Sequence, residues 1–126
     1  MQLSHLCEVI LYVEDMSAQV RFYRDVLGLR LTHPPGIDDF SDQYWVTFDT
    51  GSCTLALHGG GHRRIGEDSP KIVFLTEDLA ASRSLLVSRG VAISAPRSPA
   101  PGHAVCDGKD PEGNPFSIEA RSAVGG

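Results

Sequence analysis

The chain is 126 residues long with a formal net charge of −5 and a pI near 5.4. That length suits one domain with a core of its own, and the acidic balance excludes a general nucleic-acid binder, which needs a basic face. No apolar run approaches the roughly 18 residues of a membrane span, and the first residues lack the basic flank and apolar core of a signal peptide.

Residues 9–13 are an apolar, β-branched run, the composition of a buried strand. Glu14 and Asp15 follow, and Asp15 is placed to cap a helix by accepting N–H groups of its first turn. Met16, Val20, Tyr23 and Leu27 then fall at i, i+4, i+7 and i+11, one stripe of a 3.6-residue period. Gly28 supplies a left-handed stop, and Leu29 and Leu31 open a second strand.

Residues 33–44 (HPPGIDDFSDQY) are irregular, because Pro34, Pro35 and Gly36 prevent regular structure and three aspartates keep the stretch wet. It reads as a surface loop, or as a flap offering Phe40, Tyr44 and Trp45 as stacking surfaces over a pocket. Residues 44–49 and 53–58 form a hairpin around Gly51. Residues 59–70 (GGGHRRIGEDSP) lack the following helix and fixed lysine of a phosphate loop, and read as a flexible linker.

The second half opens with a strand and a weaker helix, in which Leu79, Ser82, Leu85 and Leu86 give a partial stripe broken by Arg83 and Arg89. Residues 94–107 (SAPRSPAPGHAVCD) read as a second loop, with His103 and Cys106 near its end. Residues 110–114 form a tight turn and 116–120 a closing strand, and 122–126 a frayed tail. The cysteines, Cys7, Cys53 and Cys106, are odd in number and widely spaced. They read as reduced thiols of a cytoplasmic protein, not as a disulfide frame or zinc cluster.

A shift of 63 residues, half the length, lays residues 71–93 over residues 8–31. Glu14 and Asp15 meet Glu77 and Asp78, and Gly28 meets Gly90 with a one-residue slip. The later parts, residues 48–58 and 109–119, match more loosely. Such self-similarity fixes the architecture: an α+β domain over residues 1–126 made of two βαβββ modules, about 1–61 and 68–121, joined by the Gly-rich linker.

LYVEDMSAQVRFYRDVLGLRL near the start and DPEGNPFSIE near the end resemble the vicinal oxygen chelate superfamily, the glyoxalase, bleomycin-resistance and dioxygenase group. The resemblance covers nearly the whole chain. It implies a cup of curved sheets, with ligands projecting from the first and last strands of each module. Those four positions correspond to Glu8, Ala56, Lys71 and Ser117, with His58 and Glu119 two residues further along on the same faces.

The metal enzymes of that group carry His, Glu or Gln at most of these positions, and this chain does not. Ala56 donates nothing, Ser117 is a poor ligand and the Lys71 ammonium would repel a dication. The resemblance therefore implies a small-molecule binding protein, typically a homodimer, without a metal cofactor. In it Lys71 stands in the metal's place near Glu8, and Phe40, Trp45 and His103 join Ala56 and Ser117 around the ligand.

The alternative is a lyase, isomerase or dioxygenase holding one divalent ion (Fe, Mn, Ni or Zn) on Glu8, His58 and Glu119. Glu8, Lys71 or Glu119 would then move protons, the lysine with a pKa depressed by burial. A third class is a structural or regulatory partner domain with a filled cup.

Overall fold

The computed structural model describes residue 1, residues 6–61 and residues 70–122. The chain divides into two compact units, Met1–Arg64 and Ile65–Gly126. His62, Arg63, Arg64 and most of the expected linker lie outside the described residues, as do residues 123–126 of the expected tail.

The first unit contains β1 (Glu8–Tyr12), a helix, β2 (Arg30–His33), β3 (Trp45–Asp49) and β4 (Thr54–His58). The strands lie in the order β1-β4-β3-β2, with β1 and β4 parallel and the other pairs antiparallel. Parallel pairing of β1 with β4 requires the long crossover that the helix and the β2–β3 hairpin provide.

Asp15 caps the helix as expected, its side chain accepting the Ala18 N–H at 3.0 Å. The winding is α over Met16–Val20 (α1) and widens to π over Arg21–Val26, where the Leu27 N–H donates to the Phe22 carbonyl five residues back at 2.9 Å. The wider turn lets adjacent Phe22 and Tyr23 both be buried beside Met16 and Val20. Gly28 stops the helix at φ +78°.

The core lies between this helix and one face of the sheet, where Val46, Phe48, Leu55 and Leu57 are fully or almost fully buried. Tyr23 reaches Phe48 with ring centroids 6.3 Å apart. Burying side chains of this size stabilises by about 1.5–3 kcal/mol each.

Phe40 corrects the reading of the flap. It is buried at 3 % exposure with the Arg24 guanidinium 5.4 Å over its ring, so it anchors the loop instead of offering a stacking surface. The first three linker glycines also differ from a flexible tether. The Gly59 N–H donates to the Tyr44 carbonyl, and the Gly61 N–H to the Val13 carbonyl. A Cβ on Gly61 would lie 2.8 Å from the Tyr12–Val13 backbone, so only glycine fits there.

The second unit contains β5 (Ile72–Leu75), α2 (Leu79–Ser88), β6 (His103–Lys109) and β7 (Pro115–Arg121), with strand order β5-β7-β6. β5 and β7 are parallel, and β6 and β7 antiparallel. Asp78 caps α2 by accepting the Ala81 N–H at 3.0 Å.

Leu86 is the buried residue of α2, while Leu85 is half-exposed. Arg83 donates to the Ser94 carbonyl at 2.9 Å and ties down the chain beyond the helix. Where the expected module has a fourth strand, an isolated bridge joins Arg97 to Val105. Pro96, Pro99 and Pro101 have no N–H to donate, which keeps this segment from forming a ladder.

The end of the expected second loop is instead strand β6. The turn into β7 is a closed network. Asp110 accepts from the backbone of Glu112 and Asn114, each at 2.9 Å, and from the Asn114 side chain at 2.6 Å.

Candidate functional site

Strand alternation puts the candidate residues on the sheet face of each unit that is turned away from the core. In the first unit the cross-strand register arranges that face in three rows. Trp45, His58 and Tyr12 form one, Thr47, Ala56 and Ile10 the next, and Asp49, Thr54 and Glu8 the third.

The first row is a cluster of rings. Tyr12 and His58 have centroids 4.9 Å apart, and Trp45 meets His58 edge-on at 6.0 Å. Tyr12 is 53 % exposed, and Trp45 and His58 are half-buried. Tyr44, the other aromatic of the expected flap, is exposed and packs along Gly59 and Gly60. In the second row Ala56 is fully buried under its neighbours and contributes no donor. In the third row Asp49 is held by Arg30 at 2.7 Å, and that contact lowers its carboxyl below the ordinary range.

The corresponding face of the second unit carries the exposed side chains of Val73 and Leu75 on β5, opposite Ser117 and Glu119, beside an ionic cluster on β6 and β7. Asp107, opposite Ser117 in the ladder, is its hub. Arg97 grips the carboxylate with two nitrogens at 2.6 and 3.1 Å, Ser117 Oγ donates at 2.6 Å, and Lys71 Nζ lies 3.2 Å away. The Arg97 hydrogen bonds, then those from Ser117 and Lys71, hold the Asp107 carboxyl well below the usual carboxylate range.

Glu119 lies on the same face, almost buried. Its carboxyl is bonded by Arg121 at 2.7 Å and faces His103 at 3.7 Å, and Arg121 foremost lowers its pKa. Within its own unit, therefore, the carboxylate partner of Lys71 is Asp107.

The structure thus gathers Glu8, Ala56, His58 and Trp45 on one face of the first unit. It gathers Lys71, Ser117, Glu119 and His103 on one face of the second. Asp107, Arg97 and Arg121 were missed from the sequence. The available signal was the period-two alternation of β6, which puts Asp107 in step with His103, but the prolines before it disguised the strand.

A divalent ion does not suit these residues. Glu8 and His58 are four residues apart along the strand direction, roughly 13 Å at about 3.3 Å per residue, beyond what a carboxylate and an imidazole span around one ion. Ala56 stands between them, and the Glu119 carboxylate is already neutralised by Arg121. Among the described residues no group of three or more His, Cys, Asp or Glu side chains is placed to hold a metal. No helix among them is long and apolar enough to cross a membrane.

The family model of the Glyoxalase/Bleomycin resistance protein/Dioxygenase superfamily matches residues 2–118. No curated protein sequence matches the chain. Among solved structures, TnmS3, an antibiotic binding protein from Streptomyces sp. CB03234, superposes with a TM-score of 0.74 at 23 % identity, covering 97 % of this chain and 99 % of that one. Lactoylglutathione lyase from Agrobacterium tumefaciens gives 0.72 at 20 % identity, covering 94 % and 95 %. Virulence protein STM3117 from Salmonella typhimurium gives 0.71 at 23 % identity, covering 96 % and 99 %. At these identities the likeness speaks to the fold, and chemistry has to be argued from the site.

Proposed function

Since the chain belongs to the Glyoxalase/Bleomycin resistance protein/Dioxygenase superfamily, we propose that it is a small-molecule binding protein that takes flat aromatic compounds without a metal ion. The observation that carries this reading is the row of Tyr12, His58 and Trp45, three rings on a sheet face that its own unit leaves accessible. Exposed planar side chains of this kind bind by covering each other's apolar faces at little entropic cost. The fold it shares with an antibiotic binding protein agrees with this assignment. So does a donor set in which Ala56 is silent and Lys71, Ser117 and Glu119 are engaged by protein partners. The same reading makes the functional unit a cytoplasmic homodimer, which light scattering on the purified protein checks.

Trp45 is the single tryptophan of the chain, so its fluorescence reports on the surface directly. Titration with planar aromatic antibiotics, neutral and cationic, is expected to quench it saturably and raise the melting temperature. Both responses should be lost in Tyr12→Ala. A panel that neither quenches nor stabilises would overturn the assignment. So would near-stoichiometric Fe, Mn, Ni or Zn retained after desalting and lost in Glu8→Ala.

A further inference from the structure

His58 differs from the other two rings of the row because its tautomer is fixed. Nδ1 lies 2.7 Å from the carbonyl oxygen of Gly59. A carbonyl oxygen carries no proton, so Nδ1 is the donor, and in the neutral ring Nε2 is left as a lone-pair acceptor. No partner for Nε2 is found among the described residues, and it is not a buried atom.

The lock is itself held in place. The Gly59 N–H donates to the Tyr44 carbonyl at 2.9 Å. A Cβ on Gly59 would come within 3.2–3.4 Å of the Tyr44 ring and Cα, so the Tyr44 side chain packs directly on this peptide. Tyr12 and Trp45 flank the imidazole at 4.9 and 6.0 Å between centroids. The ring therefore offers one acceptor, between the two other rings of the row, with its orientation set by backbone.

We propose that His58 determines specificity: the Tyr12–His58–Trp45 surface selects planar aromatic ligands that carry an O–H or N–H donor on the ring edge, phenols and aryl amines, over their O- or N-alkylated counterparts. This rests on the stacking function above and adds to it a chemical class. Stacking alone is indifferent to a methyl cap on the ligand's hydroxyl. A neutral imidazole whose Nε2 lone pair is held in place by the Nδ1–H bond is not.

The test uses a matched pair, 2-naphthol and 2-methoxynaphthalene, titrated calorimetrically into the full-length protein and into His58→Phe, His58→Gln and Gly59→Ala. The wild type should bind the naphthol about tenfold more tightly, the worth of one hydrogen bond. His58→Phe keeps a flat ring and loses the acceptor, so it should bind both compounds equally, at the level of the methyl ether. His58→Gln, which retains an acceptor oxygen, should recover part of the preference. Gly59→Ala should reduce it with the imidazole still present.

Equal affinity of the wild type for the two compounds, with both bound, would overturn the role of His58 and leave stacking intact. A preference that survives in His58→Phe would overturn it too. Binding of neither compound, nor of any planar antibiotic, would remove the stacking function and this inference together.

Discussion

The two sheet faces sit on the same arrangement of a first strand, a capped helix and a parallel last strand, yet they have spent their side chains differently. In the first unit, three rings, two threonines, Ile10 and Ala56 occupy most of the face, with Glu8 and the Arg30–Asp49 ion pair at the rim. In the second unit Val73 and Leu75 stand exposed on β5, while Asp107 on β6 engages Arg97, Ser117 and Lys71. A carboxylate with that many donors is stabilised in place and has little left to offer a ligand. The two faces thus differ in how their polar groups are used: charges bridge the β6–β7 side of the second, and rings line one end of the first.

The sharpest way to break the comparison is to remove the guest's platform. Trp45→Ala is expected to weaken planar aromatic ligands by about ten- to a hundredfold, as loss of a central aromatic contact does, with the far-ultraviolet circular dichroism unchanged. Asp107→Ala should leave ligand affinity within about twofold if the second face is structural, a change well under the ~1.4 kcal/mol of a tenfold effect. It should cost about 1–3 kcal/mol of stability, because Arg97 and Lys71 lose their shared counter-charge. Urea melts of the two variants, run beside the ligand titrations, separate binding from stability in one experiment.

The pH dependence of stability is a finer measure. The Asp107 carboxyl is held far below its ordinary range in the fold, so below neutrality the unfolded chain takes up this proton before the folded one does. The stabilisation is therefore complete above the unfolded carboxylate value near 3.9 and is lost as pH falls through it toward the folded value. Glu119 is lowered as well and acts in the same direction. Urea midpoints for wild type and Asp107→Asn should lie far apart at about pH 6 and converge toward about pH 2.5. Curves that stay parallel would show that the network contributes nothing through this carboxylate.

The smallest effect is expected from Arg30→Ala. Arg30 is largely exposed where it meets Asp49, and such exposed pairs contribute little to stability, so the urea midpoint should hardly move. A clear shift in the midpoint would mean that the first face also depends on its charges.

What the sequence disclosed and what it hid divide along the range of the interactions. The Asp15 cap, the Gly28 stop, the hairpin of β3 with β4 and the closing strand β7 depend on residues a few positions apart, and each is present as read. The common face of Ala56 and His58 followed from alternation within a single strand. Asp107 could not be found this way, because its importance comes from Arg97, Lys71 and Ser117, brought together by pairing across three segments. The inward position of Phe40 depends on Arg24, sixteen residues earlier on the helix. The π winding is likewise invisible to a 3.6-residue stripe, since that stripe predicts Tyr23 inward and is silent on Phe22.

β6 stands at the end of its sheet, where an outward row of N–H and C=O groups would be a template for a strand from another molecule. Ser94 and Arg97 engage that row at two points, through Asp107 and Val105. Between and beyond them Pro96, Pro99 and Pro101 ensure that the covering segment cannot itself become a strand with a fresh outer edge. The segment is thus a terminator for sheet growth. Restoring hydrogen-bonding residues at the three prolines would complete the fourth strand and, in the same stroke, create an edge through which concentrated protein could self-associate.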